Sequence, residues 1–304
     1  MEYVIKTKDL IKRYRKFTAL DGLTMNVPKG SIYGFVGRNG AGKTTLIRII
    51  TGLQLQTSGD YELYGARSDS KEIYKARSRM GAIVETPSIH LDCTAQDNMR
   101  SMYRIMGLPI DNRIGELLEL VGLGDTGKKK AKNFSLGMKQ RLGIAMALCS
   151  SPDFLILDEP INGLDPQGII EIRELILKLN KENNITVLIS SHILDELSRL
   201  ATHYGFIDKG RIIKEMSAQE LEAQCKKCLS VTVSDIGVLT GYLEETGAEY
   251  KVTEANTAEI YSEVSNNKLI TALDKKGCEV THISEREESL ESFFINLVGG
   301  GANE

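Results

Sequence analysis

Gly37-Arg38-Asn39-Gly40-Ala41-Gly42-Lys43-Thr44-Thr45 decides the fold of this 304-residue chain. The stretch matches G-x-x-x-x-G-K-[ST], in which glycines let the backbone curl so that its N–H groups face a phosphate chain. Ser31 to Val36, just before it, is apolar enough for a buried strand. Thr44 to Ile50, just after it, reads as a helix whose N-terminus turns the positive end of its dipole toward an anion. This strand–loop–helix order is the context that a triphosphate site needs. Gly37, Asn39, Gly40, Ala41, Gly42, Lys43, Thr44 and Thr45 are the expected contacts. Lys43 is expected to reach the β- and γ-phosphates, and the Thr44 hydroxyl to ligate Mg²⁺.

Phe154-Leu155-Ile156-Leu157 is a run of four apolar residues, as suits a parallel strand buried on both faces. Asp158 and Glu159 follow at its C-terminal end, where open α/β sheets bind ligands. Asp158 is the expected Mg²⁺ residue and Glu159 the expected general base for an attacking water. His192 ends a second apolar strand, Ile185 to Ser191. A lone histidine there is more often structural than catalytic, and spacing does not decide between the two. Asn162-Gly163-Leu164-Asp165-Pro166 reads only as a turn.

In this order the pieces resemble the ATP-binding subunit of an ABC transporter, over roughly residues 1 to 215. The resemblance makes Gly37 to Thr45 the Walker A motif and places Asp158 and Glu159 at the end of Walker B. It makes Asn162 to Asp165 the D-loop, with Asp165 near nucleotide, and His192 a switch histidine on the γ-phosphate. Tyr14 falls where the family places an aromatic against adenine, although a tyrosine near an N-terminal strand is more often packing. Phe134-Ser135-Leu136-Gly137-Met138 stands where the family signature Leu-Ser-Gly-Gly-Gln stands, with Ser135 and Gly137 matching and Leu136 and Met138 departing. In the family this segment caps ATP held by a second subunit. The resemblance therefore implies ATP sandwiched in a homodimer, or a heterodimer of two ATPases, with an integral membrane permease as partner.

The clearest departure is Glu85, in Met80-Gly81-Ala82-Ile83-Val84-Glu85-Thr86-Pro87, where the family has glutamine. A carboxylate ligates Mg²⁺ more strongly than an amide but adds negative charge near the γ-phosphate. Glu85 is thus expected as a catalytic, Mg²⁺-ligating and coupling residue, or else as a replacement that leaves the chemistry unchanged. Followed by Thr-Pro, it looks like the bacitracin-export and lantibiotic-immunity group. That resemblance implies peptide-antibiotic export, with other ABC-2 export as the alternative. Two rival classes are a non-transport ABC ATPase acting on nucleic acid or ribosomes, and a module that binds ATP without turnover. One P-loop without heptad insertions speaks against the first, and the presence of Glu159 and His192 against the second.

A net charge of −3 gives no cationic footprint, so no nucleic acid partner is expected. Lys128-Lys129-Lys130 reads as a solvated loop. No stretch has the ~18–20 apolar residues of a membrane helix and the N-terminus is not a signal peptide. The expected location is therefore cytoplasmic, peripheral on the inner face of the membrane through the permease. The five cysteines are expected as reduced thiols, and Cys225-Lys226-Lys227-Cys228 as two thiols in a linker rather than a metal or redox pair.

The expected fold is α/β: a P-loop ATPase core with an antiparallel β subdomain and a helical subdomain, plus a small C-terminal α+β domain. The ATPase domain is expected over 1–223, with helices over about 87–152, and the accessory domain over 224–304. Met102, Tyr103 and Met106, at helical spacing, are either contacts for a partner's coupling helix or core packing. From Leu229 the order reads β-α-β-β-α-β, as in a ferredoxin-like sandwich, followed by a last helix over Ser289 to Val298. It carries no site constellation, so a regulatory or dimer-contact role is expected there.

Overall fold

The computed structural model describes residues 2–224, 227–262, 264–287 and 290–299. It divides into two compact units, 1–218 and 219–304, at the start of helix α8 (Ala218–Gln224). Cys225 lies outside the described residues, so the Cys225–Cys228 spacing has no structural counterpart.

The first unit opens with a long hairpin, β1 (Tyr3–Tyr14) and β2 (Phe17–Pro28). Helix α1 (Lys43–Ile50) follows β3 (Ile32–Val36) through the glycine loop. Then come β4 (Ser58–Leu63), β5 (Ala66–Arg67), α2 (Glu72–Arg77) and β6 (Met80–Ile83). Helices α3 (Ala95–Ile105), α4 (Arg113–Leu120) and α5 (Leu136–Ala147) form the helical region. The core resumes with β7 (Phe154–Asp158), α6 (Pro166–Asn183), β8 (Thr186–Ser191), α7 (Leu194–Ser198), β9 (His203–Asp208) and β10 (Arg211–Ser217).

Two sheets result. The antiparallel one has the order β2-β1-β4-β5, and the mixed one the order β10-β9-β3-β8-β7-β6. In the mixed sheet, β3, β6, β7, β8 and β9 run parallel, while β10 returns antiparallel to β9. Every residue of β3, β7 and β8 is buried, which explains their unbroken apolar runs. The main core lies between the sheets, with Leu46, Ile47, Ile49 and Ile50 of α1 packed among Leu20, Leu23, Phe35, Leu63 and Ile156. Each such side chain contributes about 2 kcal/mol on burial. That packing fixes α1, and with it Lys43 and Thr44.

The β1 hairpin bulges near Asp9, whose φ is +48°, and the register shifts between Thr7 and Leu10. Gly59 of β4 passes so close that a Cβ there would stand 2.1 Å from the Asp9 carbonyl oxygen. This bulge breaks the alternation that marks a strand in sequence.

The second unit runs β11 (Lys227–Val233), α9 (Ile236–Thr246), β12 (Tyr250–Glu254), β13 (Thr257–Ile260), α10 (Asn266–Lys275), β14 (Val280–Glu287) and α11 (Leu290–Gly299). Its sheet, ordered β12-β13-β11-β14, is antiparallel throughout, the arrangement the β-α-β-β-α-β reading anticipates. Leu239 and Leu243 of α9 and Leu269 and Leu273 of α10 pack on Leu229, Val231 and Ile260. Strands β12 and β13 form a hairpin in which Glu254 pairs with Thr257 around a two-residue turn.

Candidate functional site

The glycine loop leaves the end of β3 and enters α1 through Gly42, whose φ is +114°. A Cβ at Gly42 would lie 2.7 Å from the Ala19 carbonyl oxygen, and one at Gly37 would lie 2.6 Å from that of Ile207. Only glycine fits either place. No side chain caps the first turn of α1 and no acidic residue stands in it, so its N–H groups remain available to an anion.

Lys43 is only 6% exposed. Its ammonium donates to the carbonyl oxygens of Gly37 at 2.6 Å and Arg38 at 3.3 Å, and stands 3.3 Å from Glu159 Oε1. The other Glu159 oxygen, Oε2, lies 2.7 Å from His192 Nδ1. The strand ends of β7 and β8 and the start of α1 thus bring Lys43, Glu159 and His192 into one cluster. His192, for which spacing alone favours a structural role, lies against the Glu159 carboxylate.

Ser190, to which the sequence reading gave no role, organises the carboxylates. Its hydroxyl donates to Asp158 Oδ1 at 2.5 Å and accepts from the Glu159 N–H at 3.0 Å. Glu159 turns into the left-handed region, φ +50°, and its N–H also meets the Ser190 carbonyl oxygen at 3.1 Å. Strain of this kind persists where neighbours over-determine it, commonly at working sites. Asp158 is 1% exposed. The signal that could have found Ser190 is a hydroxyl at the end of the strand beside β7.

The other expected residues stand apart from this cluster. Tyr14 ends β1 with its ring partly exposed, its hydroxyl 2.8 Å from Gln54 Oε1 and the Lys12 ammonium 5.2 Å from its ring centroid. Ser135 is the N-cap of α5, accepting from the Met138 N–H at 3.2 Å, and Asp165 caps α6, accepting from the Gly168 N–H at 3.2 Å. A Cβ on Gly137 would meet the Gly168 Cα at 3.7 Å and Leu164 at 3.9 Å. The two capped helix starts therefore adjoin, and Ser135, Leu136 and Asp165 are all exposed there.

Glu85 is not aimed at the cluster. Its carboxylate pairs with the Arg48 guanidinium of α1, and its φ is +63°. Tyr103 is 2% exposed, so of the three helical candidates it is core packing, with Met102 half-buried and Met106 exposed. Lys128, Lys129 and Lys130 are exposed, and the Lys129 ammonium lies 5.6 Å from the Phe134 ring centroid and 3.9 Å from Met138 Sδ.

Loop, carboxylate pair and histidine in this arrangement define a P-loop ATPase site. The family model described as ABC transporter matches residues 20–162. The chain is 44% identical, over 99% of both sequences, to the bacitracin transport ATP-binding protein BcrA of Bacillus licheniformis. It is 46% identical over 212 residues to the lantibiotic transport ATP-binding protein SrtF of Streptococcus pyogenes, covering 70% of this chain and 90% of that one. Among solved structures, cbiO1 of Clostridium perfringens, part of the ABC transporter complex cbiONQ, superposes with a TM-score of 0.65 at 28% identity, covering 74% of this chain and 92% of that one. The chain belongs to the ATP-binding proteins of ABC transporters, and it binds and hydrolyses ATP as the subunit that powers one.

Proposed function

We propose that this chain drives export of a peptide antibiotic of the bacitracin or lantibiotic kind, as one of two ATPase subunits on a membrane permease. The observation that carries the cargo class is the 44% identity to BcrA over 99% of both chains, so that likeness extends beyond the ATPase unit into the second unit. Among the described residues no helix is long and apolar enough to cross a membrane, so a path for the peptide has to come from a partner. A groove of about 620 Å³, lined by Leu53, Val84, Pro87, Met102 and Ile105 among others, is the place for that partner to dock.

Lys43 and the free N–H groups of α1 hold the β- and γ-phosphates, and Tyr14 lies against the adenine. Glu159 takes the proton of the attacking water, and His192 orients Glu159 and approaches the γ-phosphate. The Thr44 hydroxyl and the carboxylate oxygen of Asp158 not engaged by Ser190 are hard oxygen donors that suit Mg²⁺. When bound, that ion neutralises phosphate charge. Ser135 and Asp165 cap adjoining helix starts and are both exposed, with Gly137 buried just behind them, and this supports their serving the ATP of a second subunit. Two identical chains or two related ones fit equally well.

The test is co-purification of the chain with its permease, followed by susceptibility of cells carrying the pair to bacitracin and to a lantibiotic. Raised resistance that depends on Glu159 supports the reading. An intact, ATP-hydrolysing complex that changes resistance to neither peptide refutes the cargo class.

A further inference from the structure

The segment that follows α1 is tied to the end of β1 by contacts that converge on Tyr14. The Gln54 N–H donates to the Arg48 carbonyl oxygen of α1 at 3.0 Å, which fixes where the segment leaves the helix. The Gln54 side-chain oxygen then accepts from the Tyr14 hydroxyl at 2.8 Å. The next residue, Leu55, accepts from the Lys12 ammonium at 2.6 Å through its carbonyl oxygen, and that ammonium stands over the Tyr14 ring, 5.2 Å from the centroid. Thr57 continues the seam. Its N–H donates to the Ile11 carbonyl oxygen at 2.7 Å, and its hydroxyl accepts from the Arg13 N–H at 3.0 Å. Tyr14 is thus held at its hydroxyl by Gln54 and on one ring face by Lys12, yet it remains 39% exposed. With Lys12 on one face, a planar ligand has only the other on which to stack.

The strand register sets this ring beside the phosphate loop. The Ala19 carbonyl oxygen of β2 adjoins Gly42 at the entry to α1, where a Cβ would lie 2.7 Å from it. Tyr14 pairs with Phe17, two residues from Ala19 and so about 7 Å along the strand. We propose that Gln54 is a positioning residue for the base of the nucleotide: it holds the Tyr14 ring so that its open face is already set for a purine. This rests on the reading above that Tyr14 lies against the adenine. A surface tyrosine free to turn about its side-chain bonds loses that freedom when a base stacks on it. A ring held beforehand loses less, and the difference appears as affinity for the base and not for the phosphates.

Calorimetric titration of the full chain with Mg·ATP and with magnesium tripolyphosphate, which keeps the phosphates and lacks the base, tests it. Tyr14→Ala should weaken ATP by about 5- to 150-fold, the range of one base–aromatic stack, and leave tripolyphosphate at parental affinity. Parental ATP binding by Tyr14→Ala refutes the adenine reading, and the role of Gln54 falls with it. Gln54→Ala and Tyr14→Phe each remove one partner of the same hydrogen bond. Each should weaken ATP by about 2- to 10-fold and leave tripolyphosphate unchanged. The double variant should be no weaker than either alone, because both act through one contact. If Tyr14→Ala loses ATP affinity while Gln54→Ala does not, or if the two small losses add, the positioning role is overturned and the adenine reading stands. A Gln54→Ala chain that loses tripolyphosphate as much as ATP acts through α1 instead, which also overturns the proposal.

Discussion

His192 Nδ1 lies 2.7 Å from Glu159 Oε2, while the other oxygen of that carboxylate faces the Lys43 ammonium at 3.3 Å. One carboxylate therefore reads both the phosphate lysine and the strand-end histidine. His192→Ala should leave nucleotide affinity near parental and lower turnover by about 10²-fold or more, on the scale of a disturbed general base. Single-turnover hydrolysis set against equilibrium binding of a fluorescent ATP analogue separates the two effects.

The Lys43 ammonium donates to the Gly37 and Arg38 carbonyls, and its proposed role exchanges these for charge-assisted hydrogen bonds to phosphate. Lys43→Ala should weaken ATP binding by about 10- to 100-fold, from roughly 1.5–3 kcal/mol for such bonds. Parental affinity in a direct titration would contradict the assignment.

Gly42 combines φ +114° with a Cβ position 2.7 Å from the Ala19 carbonyl oxygen. Gly42→Ala should cost about 1–3 kcal/mol in backbone strain, with a further loss from displacing β2. Thermal unfolding should show a fall of about 2–4 °C in Tm per kcal/mol for a unit of this size.

Ser135 has a duty in the fold, and the proposed dimer adds a second that is separable from it. As N-cap it stabilises α5, and Ser135→Ala should cost about 1 kcal/mol in urea unfolding. Asp caps a helix as well as Ser does, so Ser135→Asp should restore stability. It should still abolish ATP-driven association, because it sets a negative charge where the partner's triphosphate has to sit.

Cys149 is buried, and burial pushes its thiol up to about 11. An unfolded thiol ionises near ~8.5, so between these values the unfolded state binds fewer protons and stability falls as pH rises. Cys149→Ala should flatten that alkaline decline, as followed by Tm from pH 8 to pH 10. In the folded parent, iodoacetamide at pH 8 should leave Cys149 unmodified.

The phosphate loop and both apolar strand ends were legible in the sequence because their chemistry depends on local order: glycines, a lysine, and carboxylates after a buried run. The second unit was legible because its alternations are regular. What escaped depends on tertiary approach. The long β1–β2 hairpin is interrupted by the Asp9 bulge, and β4, Ser-Gly-Asp-Tyr-Glu-Leu, has little strand propensity and is held by its pairing with β1. Ser190 gains its role from the strand beside it, and the Arg48–Glu85 pair joins residues that no periodicity relates. Met102 and Tyr103 are sequence neighbours, yet only the burial of Tyr103 assigns it to the core.

In the proposed cycle ATP closes two such chains on each other, and Glu159 ends the closed state. Size-exclusion chromatography with light scattering on Glu159→Gln, with and without ATP, reads this closure. The variant should be a monomer without nucleotide and a stable dimer with ATP, reverting to monomer when Ser135→Asp is added. A Glu159→Gln chain that binds ATP yet stays monomeric at high concentration would contradict it.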